Sequence, residues 1–213
     1  PAFTALAFGF TTALALAVAL RSAYSQLRAD IETLNAKLKV RKPDLIILVR
    51  HGESEANVDS SKYRDVGDPH IELTPRGQQQ AHHAGNQLCQ LVGSRHIFAY
   101  VSPYARTRQT ADLALSHLSA DERRVIRRIE DPRLREREFC GTFQHEKPDR
   151  SDERDYSRFF WRPPSGESNA DVYDRISSFL DTLWRDFRSH KEMEGAAVVI
   201  FGHGLTNRIF AMR

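Results

Sequence analysis

The chain has 213 residues, of which 40% are hydrophobic. This is enough for one α/β domain with a substantial core plus an appendage, but not for two catalytic domains. Lys and Arg number 31 against 28 Asp and Glu, a net charge of +3, and such a mixed surface does not favour nucleic acid as a partner. Cys89 and Cys140 lie in unrelated segments, so neither a disulfide framework nor a zinc site is indicated.

The first segment is strongly apolar. Residues 1–20 contain no charged side chain, and about 20 apolar residues are needed to cross a bilayer. We therefore predict a transmembrane helix and single-pass attachment to a membrane, with a signal-peptide core or a buried helix as the alternatives. The basic residues that follow favour a downstream domain on the cytosolic or matrix side.

The next segment has a one-sided apolar stripe at helical spacing, formed by Leu27, Ile31, Leu34 and Leu38. The stripe predicts a helix over residues 21–40 that packs on its own domain, on another copy, or on subunits of a membrane complex. Pro43 is expected to end this helix, because proline disfavours helical geometry in the preceding residue. We predict a membrane anchor and helical stalk over residues 1–42 and a second domain over residues 43–213.

Beyond Pro43, strand-like and helix-like segments alternate. Strands are predicted over residues 45–49, 97–101, 125–129 and 196–201. Helices are predicted over residues 75–91, 105–117, 169–188 and from 205 onward. This alternation predicts an α/β fold with a mainly parallel sheet sandwiched by helices. Residues 134–168 are rich in charge, proline and aromatic side chains. We predict that they form an excursion from the alternating pattern, an inserted segment that builds a wall of the functional site.

Polar residues follow three of the predicted strands. Arg50, His51 and Gly52 come after the first strand, and Arg106 opens the helix after the second. His203 lies between two glycines after the last strand. Ligands of open α/β sheets bind at the carboxyl ends of the strands, and a guanidinium group at a helix N-terminus attracts phosphate. Each motif alone could be a turn or a surface ion pair, but their joint occurrence favours an anion site.

Together these motifs resemble those of the histidine phosphatase superfamily, in its phosphoglycerate mutase-like branch, over residues 44–213. The resemblance implies the phosphoglycerate mutase-like α/β fold and no metal or cofactor. The motifs that carry it are, in chain order, Arg50-His51-Gly52-Glu53-Ser54, Ser102-Pro103 with Arg106 and Thr110, Leu134-Arg135-Glu136-Arg137, Gly166-Glu167-Ser168 and Gly202-His203-Gly204.

By this resemblance, His51 is the nucleophile that accepts the phosphate. Arg50, Arg106, His203 and Asn57 are implied to line the phosphate pocket. The attacking nitrogen of His51 has to be unprotonated, so we expect the other ring nitrogen to donate to an acceptor such as a backbone carbonyl.

The resemblance also implies a general acid. Glu136 falls in the Leu-x-Glu-Arg element of the family, while Glu138 is the rival candidate. In many relatives a glycine follows the next aromatic residue directly, whereas here Cys140 takes that place and Gly141 comes one position later.

The sequence thus predicts an enzyme that hydrolyses phosphomonoesters, small molecules or phosphoproteins, through a phosphohistidine. The excursion over residues 140–165 is short for a closed sugar-phosphate site, which favours a phosphatase over a mutase-type phosphotransfer. A structural subunit of a membrane complex that retains the fold is the other alternative. A membrane-tethered branch of this family acts on proteins in mitochondria, and the similar layout favours a mitochondrial membrane over the endomembranes.

Overall fold

The computed structural model describes residues 2–118, 125–139 and 157–213, and of residues 2–17, 37 and 38 it describes the backbone alone. The chain divides into two compact units, Pro1–Val40 and Arg41–Arg213.

The first unit contains one α-helix, α1 (Ala2–Leu38). Within it the side chains of Leu27, Ile31 and Leu34 are exposed, so the partner of the apolar stripe stays a prediction. Across the part of the chain that was described, no helix is both long and apolar enough to cross a membrane. For most of the predicted span over residues 1–20 the side chains lie outside the description. The structure therefore does not support the predicted transmembrane helix.

The second unit alternates strands and helices. Its strands are β1 (Leu45–Arg50), β2 (Ile97–Val101), β3 (Val125–Glu130) and β4 (Ala197–Gly202). Its helices are α2 (Glu55–Val58), α3 (Lys62–Asp65), α4 (Pro75–Val92), α5 (Ala105–Ser116), α6 (Asn169–Ser189) and α7 (Gly204–Met212). The predicted α/β fold is confirmed. The sequence did not predict α2 and α3, because four residues are too few to establish a helical period.

The described strands form one parallel sheet in the order β1-β4-β2-β3. In its register, Phe201 of β4 pairs with Val49 of β1 on one side and with Val101 of β2 on the other. These three strands therefore end at the same level, and β4 lies between the other two.

Helices cover both faces of this sheet. On one face Ala99 of β2 and Val199 of β4 are buried in a cluster that includes Leu88 of α4. On the other face the ring of Tyr100 packs against Phe179 of α6 at 5.4 Å. Because side chains alternate across a strand, a fully buried strand is apolar at every position, and the continuous apolar runs of β2 and β4 have this cause.

The N-terminus of α6 is fixed by its own side chains. Ser168 Oγ accepts from the backbone N–H of Asp171 at 3.1 Å, and Asp171 Oδ2 accepts from the backbone N–H of Ser168 at 2.7 Å. This capping box satisfies two backbone donors. It also holds the preceding residue, Glu167, at the helix end.

Candidate active site

The site lies at the carboxyl edge of the sheet. His51 follows β1, and its backbone N–H donates to Gly202 O of β4 at 3.1 Å. Ser102 follows β2, and its backbone N–H donates to Phe201 O at 2.9 Å. The hydrogen-bond ladder thus continues one residue past each strand, and it brings the residues after β1, β4 and β2 side by side.

His51 is 9% exposed and its ring is fixed by the backbone. Its Nδ1 lies 2.7 Å from Gly52 O. A carbonyl oxygen only accepts, so Nδ1 carries the hydrogen and Nε2 keeps the lone pair. Burial lowers the pKa of His51 from 6.5 to about 4, with a further lowering by the charge of Arg106 and a smaller one by Arg50, against the opposing Gly52 hydrogen bond. The imidazole is therefore neutral and nucleophilic at Nε2.

Close packing explains the glycine after His51. A Cβ on Gly52 would lie 2.3 Å from Gly77 O in α4, and a Cβ on Gly77 would lie 2.0 Å from Glu53 O. Neither distance is tolerable for a side chain. Gly52 thus lets α4 approach the segment that carries His51. Gly77 was not singled out from the sequence.

His203 faces His51 across the site. The ring centroids are 5.2 Å apart, with the planes inclined by 61°. His203 is fully buried, and its Nε2 lies 2.8 Å from Ser102 Oγ. Burial lowers the pKa of His203 well below 6.5, with additional lowering by Arg106 and by His51. Both rings of the pair are therefore neutral.

Arg106 is buried beneath the site, at 2% exposure. Its Nη1 donates to Asp68 O at 2.8 Å and forms an ion pair with Asp68 Oδ1 at the same distance. Its guanidinium group lies over the ring of Tyr104, 5.0 Å from the centroid, and Tyr104 in turn packs edge-on against His203 at 5.2 Å. Burial raises the pKa of Asp68, while Arg106 opposes this shift.

Arg50 supplies the second guanidinium group. A Cβ on Gly204 would lie 3.6 Å from Arg50 Nε, so the arginine side chain runs past the start of α7. Arg50 is exposed, and in residues 2–118, 125–139 and 157–213 no ion pair engages it. Its charge also lowers the pKa of both His51 and His203, which places all three groups within one site.

Asn57 lies in α2 and is exposed. Its Oδ1 accepts from the backbone N–H of Ser54 at 2.9 Å and from Ser54 Oγ at 3.1 Å. The amide oxygen is thus used by the helix cap. The Nδ2 group is the part of Asn57 left to donate to a ligand.

The two candidate acids follow a 3₁₀ turn at Pro132–Leu134. Glu136 Oε1 accepts from the backbone N–H of Arg137 at 3.0 Å and from Thr206 Oγ1 at 3.3 Å. The negative charge of Glu136 contributes to a raised pKa of Tyr63, for which burial and Asp68 are the larger causes. Glu138 acts in the same way on Tyr104. Glu136 is thus held against Thr206 of α7, three residues after His203.

A partly buried carboxylate anchors this segment. Glu167 accepts from Arg175 Nε and Nη2, each at 3.0 Å, and from the backbone N–H of Glu138 at 3.2 Å. Glu167 also pairs with Arg135. The segment that carries the candidate acids is therefore tied to the N-terminal part of α6.

Sequence reasoning missed several residues of this site. Ser102 and Glu167 lie within the Ser-Pro and Gly-Glu-Ser motifs of the sequence. Their place in these motifs was the signal that could have identified them. Tyr63, Asp68 and Thr206 carried no signal, because each meets the site through contacts between distant segments. Part of the predicted excursion, including Cys140, lies outside the described residues. Among the described residues, no group of three His, Cys, Asp or Glu side chains is placed to hold a metal ion.

Comparison with known proteins assigns the family. A family model described as the histidine phosphatase superfamily (branch 1) matches residues 46–213. The chain therefore belongs to the histidine phosphatase superfamily. The relatives that it matches are named as phosphatases or as mutases and mutase-like proteins.

Phosphoglycerate mutase-like protein AT74 from Arabidopsis thaliana is 44% identical over 184 residues, 80% of this chain and 57% of that protein. Sedoheptulose 1,7-bisphosphatase from Saccharomyces cerevisiae is 31% identical over 180 residues, 78% of this chain and 65% of that protein. The chain thus spans less than two thirds of these relatives. The solved structure of open reading frame Rv3214 from Mycobacterium tuberculosis matches with a TM-score of 0.56 at 28% identity. The match covers 78% of this chain and 76% of the Rv3214 chain.

The pKa of His51 can be measured. In the folded enzyme without phosphate we expect an imidazole titration midpoint near pH 4 rather than 6.5, followed by histidine NMR. Because folding lowers this pKa, the unfolded chain binds the proton more tightly, and the free energy of unfolding falls as the pH drops from about 6.5 toward about 4. Arg106→Gln removes the second cause and is expected to raise the midpoint. A midpoint at or above 6.5 would contradict the neutral ring.

Proposed function

We propose that the protein is a phosphatase that hydrolyses phosphomonoesters through a phosphohistidine on His51. The observation that carries the proposal is the pair of neutral imidazoles of His51 and His203, whose ring centroids are 5.2 Å apart. The positive charges of two arginines act on both rings. One ring offers a lone pair on Nε2, while the cations beside it attract the phosphate that this nitrogen would attack.

The substrate phosphate carries about two negative charges near neutral pH. Arg50, Arg106 and His203 hold its oxygens, and Asn57 Nδ2 adds a neutral donor. Arg106 and His203 are buried and hydrogen-bonded before the substrate binds, so they can stabilise the charge on the equatorial oxygens during in-line transfer with little reorganisation. Binding and stabilisation of the transition state are thus the work of the same four side chains.

Two proton transfers accompany the reaction. In the first step His51 Nε2 bonds to phosphorus, the bond to the leaving oxygen breaks, and Glu136 gives that oxygen its proton. In the second step ionised Glu136 takes a proton from water, the water oxygen bonds to phosphorus, and the electron pair returns to Nε2. The low basicity of His51 favours this second step, because a weakly basic nitrogen is a better leaving group.

One relative supports hydrolysis over mutase-type transfer, because its name describes a phosphatase. The yeast protein that is 31% identical is a bisphosphatase. A mutase would use the same His51 but would return the phosphate to its substrate rather than to water. The two reactions differ in whether inorganic phosphate accumulates and whether a bisphosphorylated primer is needed.

The phosphohistidine can be trapped. When the full chain reacts with a ³²P-labelled aryl phosphate, we expect acid-labile, base-stable label on the protein and release of inorganic phosphate. His51→Ala is expected to lose both, because no other nitrogen replaces Nε2. Liquid scintillation of the quenched protein and a phosphate assay measure the two quantities.

His83→Ala is the matched control, since His83 is an exposed histidine of α4 and is expected to leave label and turnover unchanged. Label that persists in His51→Ala would refute the assignment of the nucleophile. Label without inorganic phosphate, released only by a phosphorylated acceptor, would identify a mutase.

The leaving group distinguishes Glu136 from Glu138. An alkoxide needs a proton as it leaves, whereas dinitrophenolate does not. We expect Glu136→Gln to slow phosphoenzyme formation from an alkyl phosphate by about 100-fold or more, the range typical of a general acid, and to affect dinitrophenyl phosphate little. Rapid-quench kinetics measure both rates, with Glu138→Gln as the paired variant. A leaving-group dependence that appears only in Glu138→Gln would transfer the role to that residue.

We also propose that residues 1–20 attach the protein to a mitochondrial membrane by a single pass and that residues 21–40 contact subunits of a complex there. The support is the absence of charge over the first 20 positions and the basic residues after them.

Attachment can be tested by alkaline carbonate extraction of membranes from cells that express the chain, with a mitochondrial marker. We expect the full chain to stay with the mitochondrial membrane and a variant without residues 1–20 to be released. Release of the full chain by carbonate would end the membrane proposal.

A further inference from the structure

Ser102 is placed where it can control the second histidine. It follows β2 directly, is fully buried, and is held by its backbone N–H to Phe201 O at 2.9 Å. Its Oγ lies 2.8 Å from His203 Nε2. The two residues are 101 positions apart in the chain, and they meet because β2 and β4 are neighbours in the sheet.

The second ring nitrogen of His203, Nδ1, differs from Nε2 in its surroundings. Within the described part of the chain, His203 Nδ1 is buried and has no hydrogen-bond partner. A buried polar atom without a partner is costly, and at this position it borders the site that holds His51 and Arg106. We interpret Nδ1 as the ring nitrogen that the fold leaves for the ligand.

The direction of the hydrogen bond between Ser102 and His203 follows from charge. The ring is neutral, so only one nitrogen carries a hydrogen. Phosphoryl oxygens accept hydrogen bonds, and a lone pair on Nδ1 would repel them. The hydrogen therefore has to be on Nδ1 for His203 to bind phosphate, and Nε2 then accepts from the Ser102 hydroxyl, whose proton can rotate to suit.

We propose that Ser102 is a positioning residue that donates its hydroxyl hydrogen bond to His203 Nε2 and so keeps the hydrogen of His203 on Nδ1, where it donates to a phosphoryl oxygen. This inference rests on the proposed function for the identity of the ligand. The tautomer of His203, however, is a property of the free protein and can be measured without turnover.

The first measurement is the tautomer. Long-range ¹H–¹⁵N spectra of the full chain, labelled with ¹⁵N-histidine, report which ring nitrogen carries the hydrogen, and His203→Gln serves only to assign the signals. We expect His203 to carry it on Nδ1 in the wild type and to lose this preference in Ser102→Ala. A wild-type ring with the hydrogen on Nε2 overturns the proposal, whether or not the protein hydrolyses phosphate esters.

The second measurement is the consequence for the phosphate. In Ser102→Ala we expect the Kd for inorganic phosphate to rise about 10-fold and phosphoenzyme formation to slow by about 10-fold to 100-fold, by analogy with the loss of a residue that orients a metal-binding histidine. Ser102→Thr keeps the hydroxyl and is expected to restore the tautomer and most of the rate. Ser177→Ala removes a hydroxyl that donates to Tyr173 O in α6 and is expected to change neither quantity.

Circular dichroism of Ser102→Ala separates a local effect from unfolding. A folded Ser102→Ala variant with an unchanged tautomer, or with an unchanged phosphate Kd and rate, overturns the proposal. If the wild type binds phosphate and has the Nδ1 hydrogen but forms no phosphohistidine, the proposed function fails while the assignment of Ser102 stands.

Discussion

Three neighbouring strands, β1, β4 and β2, run parallel and end at one level, with Phe201 paired to Val49 on one side and Val101 on the other. This register brings His51, Ser102 and His203 together at the sheet edge. Side chains alternate across a strand, so a shift of β4 by one residue would turn its side chains to the opposite faces. The buried apolar residues on both faces of β4 resist such a shift, and the core thereby fixes the geometry of the site.

The charges of the site have two effects at once. The positive charges of Arg106 and Arg50 favour an anion at the sheet edge, and the same charges lower the pKa of His51 and His203. Burial acts in the same direction on both rings. The cations that would bind the proposed substrate thus also keep both imidazoles unprotonated. Asp68 partly compensates the buried charge of Arg106 at 2.8 Å, and without a partner this charge would be costly to bury.

Sequence patterns were sufficient to place the strands along the chain and to find the polar residues that follow them. Apolar runs and helix periods are local, and they predicted the four described strands and the helices α4 to α7 to within two residues. Pairings between distant segments are not local. The contact of Ser102 with His203 requires the strand order, which no single segment encodes, and the ion pair of Arg106 with Asp68 requires the path of the loop after β1. The glycine pair behind His51 is a further case, since neither residue indicates its neighbour.

The pocket proposed for the phosphate and the surroundings proposed for the rest of the substrate belong to different parts of the fold. The pocket is made by strand ends, which the core fixes, whereas Tyr63 comes from the short helix α3 after β1 and Glu136 from the segment before α6. These two segments can vary without disturbing the register of the sheet, because loops tolerate change that a packed strand does not. For the same reason, residues that select a substrate under the proposed function are expected in the α2–α3 region and around Glu136 rather than at the sheet edge.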